Sequence, residues 1–310
     1  MAAKLQTADG MEAARILAHP TYDVVPYAAW CESLADRLGL DFGNILTLPD
    51  RLPQAMRGVA HEEQRADVAR LLAERRTAIA DALPVLVERY FAVLRRPGDC
   101  DVLAECIWPL VDGLIKVMSD VAVDASTARL VSRVFSQAMG VAQRRTLDAE
   151  LAGLLAQIRT AHPEENRLRQ GSRLAVVVLG RDAMTGTLAR SLHAHFAALG
   201  GQPLSARPLA DVPTHTGVPY IDRVPKADHP DNPAIRCNLF TLEGAEPPDR
   251  MRFFGAGPHV CLGRMVTLDL FRTVSAHLSG FETKVQVTAY PLRKDDVFSL
   301  PDVFETRVDP

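Results

Sequence analysis

The chain has 310 residues, 47% of them hydrophobic and 24% charged, with a formal net charge of −3; that length allows one or two domains, and the composition is that of an ordinary globular protein. The near-neutral balance gives no electrostatic case for binding nucleic acid or an anionic membrane surface. Five cysteines, Cys31, Cys100, Cys106, Cys237 and Cys261, are odd in number and show no CxxC spacing, which argues against a disulfide framework or a zinc site and fits a reducing cytoplasm. The start, MAAKLQTADGMEAARIL, lacks an apolar core with basic flanks, and runs such as LAVVVLG fall short of the ~20 residues that cross a bilayer, so neither a signal peptide nor a membrane anchor is expected. Lysines are few beside the arginines, and alanine is abundant; this points to a GC-rich bacterial genome rather than to function.

In chain order, Met11 to Ala18 reads as a short helix stopped by His19-Pro20, with Ala14, Leu17 and Ala18 along its apolar face. Tyr22 to Met56 is expected to be irregular, carrying Tyr27, Trp30, Phe42, Pro49 and Pro53, with one short helix near Glu32 to Leu38. His61 to Leu94 is strongly helical through Val68, Leu71, Leu72, Ile79, Leu83, Leu86 and Tyr90, and Pro84 predicts a break between two helices. A further helix follows in GDCDVLAECIWPLVDGLIKVMSD. Thr127 to Gln143 and Thr146 to Thr160 predict two more amphipathic helices, and after a short charged connection a long helix runs from about Ser172 to Leu199. TGVPYIDRVPKAD and AIRCNLFTL read as neighbouring strands, Met265 to Ser279 as a helix, and Val285 to Val308 as a β-rich tail with turns at Pro291 and Asp295-Asp296. No linker interrupts the middle, so a single domain over 1–310 is expected, mainly α with small β elements.

Between the strands and the last helix lies FFGAGPHVCLGR, Phe253 to Arg264. Gly255, Gly257 and Gly263 surround Cys261, and a backbone of this kind lets a thiolate approach a flat cofactor closely. A dinucleotide fingerprint is excluded, because Val260 stands where its third glycine must be and no strand-plus-acid context follows. The helix beginning at the cysteine turns its amide end toward the sulfur, which stabilises negative charge there. Phe254, Gly255, Gly257, His259, Cys261 and Gly263 fill every fixed position of F-G-x-G-x-H-x-C-x-G, and this resembles the cysteine-loop signature of the cytochrome P-450 superfamily. The resemblance implies a trimmed P-450-like fold with haem b, iron protoporphyrin IX, between a long central helix and the cysteine loop. It makes Cys261 the metal ligand, places Phe254 near the sulfur and directs His259 to a haem propionate.

The same resemblance assigns other residues. His61 and Arg65, four apart and so on one helix face, are similar to the family's H-x-x-x-R propionate pair, and Arg223 falls where a strand arginine binds a propionate. The phrase ARILAHPTYD is similar to one from the family's second helix, so the first helix and first strands are expected to be missing; Tyr22 to Met56 would hold substrate-contacting loops, and the helices of Thr127 to Thr160 a lid over the distal side. The long helix matches [AG]-G-x-[DE]-T only in part: Gly180 and Asp182 are in place, but Ala183 stands where the family has threonine. Asp182 and Thr185 are the expected catalytic proton relay, and Thr185 or Thr187 would serve only if the helix unwinds or rotates. Asp182 reads alternatively as a salt-bridged surface acid, and Arg181 as a group that meets an acidic substrate or snorkels to water. No ExxR sequence, the family's brace for the cysteine loop, occurs between Gly200 and Arg252. Its absence together with that of the first strands implies coherent trimming. Arg250, Arg252, Arg264 and Arg272 would dock an acidic ferredoxin or flavodoxin, plain solvation being the alternative.

The function implied is a haem-thiolate oxidoreductase that hydroxylates or otherwise oxidises a small organic metabolite, free or carrier-tethered, in biosynthetic tailoring. An alternative keeps the thiolate but not the oxygen relay, with peroxide as oxidant or an N–O or O–O substrate rearranged or dehydrated at iron. A third is a non-catalytic haem sensor or helper that binds another protein. Other chemistry finds no support: His193 and His195, two apart on a helix, diverge, and no HExxH, GxSxG or Walker loop occurs.

Overall fold

A computed structural model describes residues 5–25, 27–136, 138–246, 248–293 and 297–310, with the side chains of 27–31 and 38 outside the description. The segment with the longest unbroken helical pattern forms the longest helix. In order the elements are β1 (Gln6–Asp9), α1 (Gly10–Ala18), β2 (Tyr22–Val24), α2 (Tyr27–Leu38), α3 (Gly43–Leu46), α4 (Gly58–Glu74), α5 (Arg76–Phe91), β3 (Gly98–Asp101), α6 (Trp108–Ser119), α7 (Ala125–Val131), α8 (Val141–Ala161) and α9 (Arg167–Leu199). There follow β4 (Tyr220–Pro225), β5 (Ile235–Asn238), α10 (Arg264–Leu278), β6 (Lys284–Ala289) and β7 (Glu305–Asp309).

α9 is buried on nearly every face: Leu174, Val177, Leu188, Ala189 and Leu192 have no exposed surface, as expected of a helix enclosed by others. It packs against α4, α6, α7 and α8. Close approach is built in at Gly180, where a Cβ would stand 2.7 Å from Cδ1 of Ile115 on α6, and α5 meets α6 similarly at Gly113. These helices, with α10 and the β3-β7-β6 sheet, share one large apolar core. A second sheet, in the order β1-β5-β4-β2, is parallel between β1 and β5 and antiparallel elsewhere. With α1 it closes a separate, smaller core of Ala8, Ala13, Leu17, Ile235, Cys237, Leu239, Leu242 and Phe253.

The structure departs from the sequence reading at several points. The first helical pair is divided at Arg75, not at Pro84, which lies within α5. Nε of Arg75 donates to the Val117 carbonyl at 2.9 Å, so an anchor to α6 sets the division. Pro84 is tolerated because it and residue 80, whose carbonyl it leaves unpaired, are on the solvent side. α7 ends at Val131, well short of Gln143, and α8 begins at Val141. A strand, β1, does stand ahead of α1 and pairs with β5, with Ala8 opposite Cys237, which narrows the expectation that the first strands are missing. Tyr27 and Trp30 as substrate contacts, and the turn at Asp295-Asp296, lie outside the described residues. Among the described residues no α-helix occurs between Gly200 and Arg252, and no helix is long and apolar enough to cross a membrane.

Candidate active site at the cysteine loop

The loop is closed by its own backbone: the Cys261 amide donates to the Phe254 carbonyl at 2.7 Å and the Val260 amide to that of Gly257 at 3.2 Å. Gly255 and Gly257 have φ of 85° and 64°, a region that side chains disfavour. At Gly257 a Cβ would also come 3.0 Å from Cα of Ala18, so α1 lies directly on the loop. Gly263 has an ordinary φ of −77°; its lack of a side chain leaves the sulfur open on that side, since a Cβ would sit 3.7 Å from Sγ. Phe253 is buried in the smaller core with the Phe254 ring 4.9 Å away.

Cys261 is an exposed free cysteine, although protein atoms are dense around the sulfur. Burial pushes its thiol up, while the amides of Gly263 and Arg264 donate to the sulfur and the charges of Arg65 and Arg264 favour the thiolate. The start of α10 therefore supplies two N–H donors and positive helix-end potential. What the protein alone leaves unfavourable, a cation bound at the sulfur would reverse.

Helix α4 brings the cations. Its buried residues His61, Gln64, Asp67, Val68 and Leu71 follow helical spacing and turn a largely polar face to α9. Gln64 Nε2 donates to Ser172 Oγ at 2.9 Å, and that hydroxyl donates to Asp67 Oδ2 at 2.6 Å. This registry aims His61 and Arg65 at the loop. Arg65 donates to the Val260 carbonyl at 2.8 Å, and the His61 and His259 rings lie 4.2 Å apart. From the small sheet comes Arg223 on β4, 5% exposed, its register fixed by Val24 and Ile235 on either side. Burial, then His61, Arg223 and Arg65, push His259 down to about 3. His61 is lowered by burial first and Arg65 second. Two arginines and two neutral imidazoles thus converge at the cysteine loop around His259, with Arg65 near the sulfur, and Nε2 of His61 is buried without a partner. The nearby acid Asp23 is held by Arg57 at 3.1 Å.

These residues fit a flat anionic group carrying a metal: the sulfur would be its donor, Arg65 and Arg223 would neutralise its carboxylates, and the His61 and His259 rings would offer N–H groups to them. The structure thus brings together around one loop the residues that the sequence reading expected at a cofactor, Phe254, Gly255, Gly257, His259, Cys261, Gly263, His61, Arg65 and Arg223.

The relay residues are placed differently. α9 runs unbroken from Arg167 to Leu199, without the unwinding that would let Thr185 or Thr187 take the place of Ala183. Thr187 Oγ1 donates to the Ala183 carbonyl at 2.7 Å and accepts from the Gly217 amide at 2.9 Å. Thr185 is fully buried, its hydroxyl unpartnered. Asp182, 1% exposed, is no surface acid: it binds Arg181 at 2.6 Å and lies 3.7 Å from Arg293. Arg181 does not snorkel; at 2% exposure it also binds Asp112 of α6 at 2.7 Å and lies beside the Trp108 ring. Gln64, Asp67, Ser172 and Asp112 were not legible as site supports, because their partners lie on other helices.

The fold is cytochrome P-450-like. Similar solved structures include P-450 RauA complexed with a biosynthetic intermediate of aurachin RE, with a TM-score of 0.72 and 14% identity over 98% of this chain and 90% of that one. The P-450 BioI in complex with hexadec-9Z-enoic acid ligated acyl carrier protein gives 0.68 and 11% over 96% and 90%. CYP154C4 from Streptomyces sp. W2061 gives 0.68 and 19% over 97% and 88%. No protein-family model matches the chain, and no curated protein matches it.

Proposed function

We propose that the chain is a haem-thiolate enzyme of cytochrome P-450 type that oxidises a small organic metabolite, with Cys261 as the residue that would hold the iron. The observation that carries this reading is Cys261, an exposed residue whose sulfur accepts from the Gly263 and Arg264 amides and is flanked by Arg65. His61, Arg65, Arg223 and His259 would hold the propionates. Haem bound through a thiolate supplies O–O bond chemistry, because the sulfur donates electron density to iron. The similar P-450 BioI structure holds an acyl group on a carrier protein, which supports a carrier-tethered substrate beside a free one.

The test is the carbon monoxide difference spectrum of the reduced protein, which should show the Soret band of thiolate ligation. Cys261→Ala should abolish that band and weaken haem retention by at least the roughly 10–100-fold that follows loss of an outer-shell partner of a metal ligand. A colourless wild-type protein, or a Cys261→Ala protein with an unchanged spectrum, removes the basis of the proposal.

One observation favours the variant without the oxygen relay: Asp182 is committed to Arg181. On that reading Asp182→Asn lowers thermal stability and changes turnover equally with an electron-transfer system and with peroxide. A loss confined to the electron-transfer reaction, of the 10²–10⁴-fold order typical of general acid–base groups, would return Asp182 to the relay.

A further inference from the structure

The cysteine loop spans two apolar cores. On its C-terminal side, Val266, Leu270, Phe271 and Val274 of α10 enter the large core that contains α9. On its N-terminal side, Leu239, Leu242 and Phe253 belong to the small core of the β1-β5-β4-β2 sheet, with Phe254 and Ala256 packed on it. Apolar packing within each core leaves the spacing between α9 and the approach to the loop to other contacts.

Arg190 supplies such a contact. It lies one and two turns beyond Gly186 and Asp182 on the same line of α9. Its Nη2 donates to both oxygens of Glu243, at 2.9 and 3.1 Å. Nη1 reaches Ser299 Oγ at 3.3 Å, and the guanidinium lies 4.1 Å over the Phe240 ring. Glu243 Oε1 also accepts the Thr216 amide at 2.9 Å. One pair, its side chains only 15% and 14% exposed, therefore ties together α9 and the segments at Thr216, Phe240–Glu243 and Ser299. The bonds to Glu243 are charge-assisted, both from one nitrogen, and the contacts to Ser299 and Phe240 limit how the guanidinium can turn. Glu243 follows directly on the 3-10 turn Phe240–Leu242, which packs on the turn Asp249–Phe254, and Phe254 accepts the Cys261 amide. A short, continuous chain of contacts leads from Arg190 to the sulfur.

We infer that the Arg190–Glu243 pair is a positioning brace, setting the height of the cysteine loop against α9. The inference rests on the reading of Cys261 as haem ligand, and Arg190 and Glu243 act through the loop rather than on substrate. Arg190→Met keeps an unbranched apolar stem and removes the guanidinium with its charge; Glu243→Gln retains an acceptor for the Thr216 amide. Arg307→Ala, which breaks an exposed pair with Asp99, is the control.

Hydrogen exchange of the purified full-length protein should show peptides from Leu239 to Cys261 exchanging about tenfold or more faster in both brace variants, with α4 to α6 and the control unchanged. In haem-loaded protein the same variants should lose thiolate-ligated carbon monoxide complex in favour of the thiol-ligated form, with Arg190→Lys intermediate. Unchanged protection of Leu239 to Cys261, or protection lost evenly over the whole chain, overturns the brace. If wild-type protein takes up no haem, the ligand reading fails on that result alone, and the exchange data still decide the brace.

Discussion

Among single residues, His259 shows how the site is poised. Its imidazole faces His61 and Arg65 from α4 and Arg223 from β4, and with burial they push it down to about 3; an unfolded histidine titrates near 6.5. Across that interval the unfolded chain binds more protons, so the stability contribution is complete above about pH 6.5 and is lost as pH falls toward 3. His61 is shifted in the same direction. The denaturation midpoint of haem-free protein should therefore fall between about pH 7 and pH 5, and His259→Asn should flatten the slope; an unaltered slope would show that the ring is not held neutral there. Haem loading should flatten it too, since two propionates reverse the local field. Every fixed position of the loop motif was legible because the whole motif fits between Phe254 and Gly263, and the chemistry of a thiolate at a helix start is local.

For elements, α9 matters most. Its period and length were readable, but the residues that face each neighbour depend on packing. Gly180, which fills the glycine position of the central-helix pattern, meets Ile115 of α6, whereas Gly186 touches backbone, with a Cβ 2.7 Å from the Ser299 carbonyl oxygen and 2.9 Å from Cα of Gly217. The two glycines should respond differently to alanine. At Gly186 no flexible side chain end can yield, and substitution should cost roughly 1–3 kcal/mol. At Gly180 the methyl end of Ile115 can turn aside, and the cost should stay below about 1 kcal/mol. Urea denaturation of both variants checks this, and equal losses would show that the backbone approach at Gly186 is not tight. The same packing bears on Asp182, expected in the relay or, alternatively, as a salt-bridged surface acid: it is salt-bridged but buried, and the approach of Arg293 is not visible in a helical repeat.

At the level of the whole molecule, two apolar cores meet at the cysteine loop, and cations gather where they meet. Of the arginines expected to dock a redox partner, Arg252 and Arg272 are paired to Asp249 and Asp269 three residues away, which lowers the field that an acidic partner would sense. The sequence by itself determined where the long helices lie, though not where α4 gives way to α5 or α7 ends, through their apolar period, and the cysteine loop, through a motif whose residues are neighbours along the chain. Only the tertiary structure decided which polar groups support that loop. Gln64 and Ser172 are 108 residues apart, and Arg190 and Glu243 are 53 apart. No local pattern encodes such pairs, because each exists only once packing has brought two distant segments within hydrogen-bond reach and excluded the water that would otherwise satisfy them.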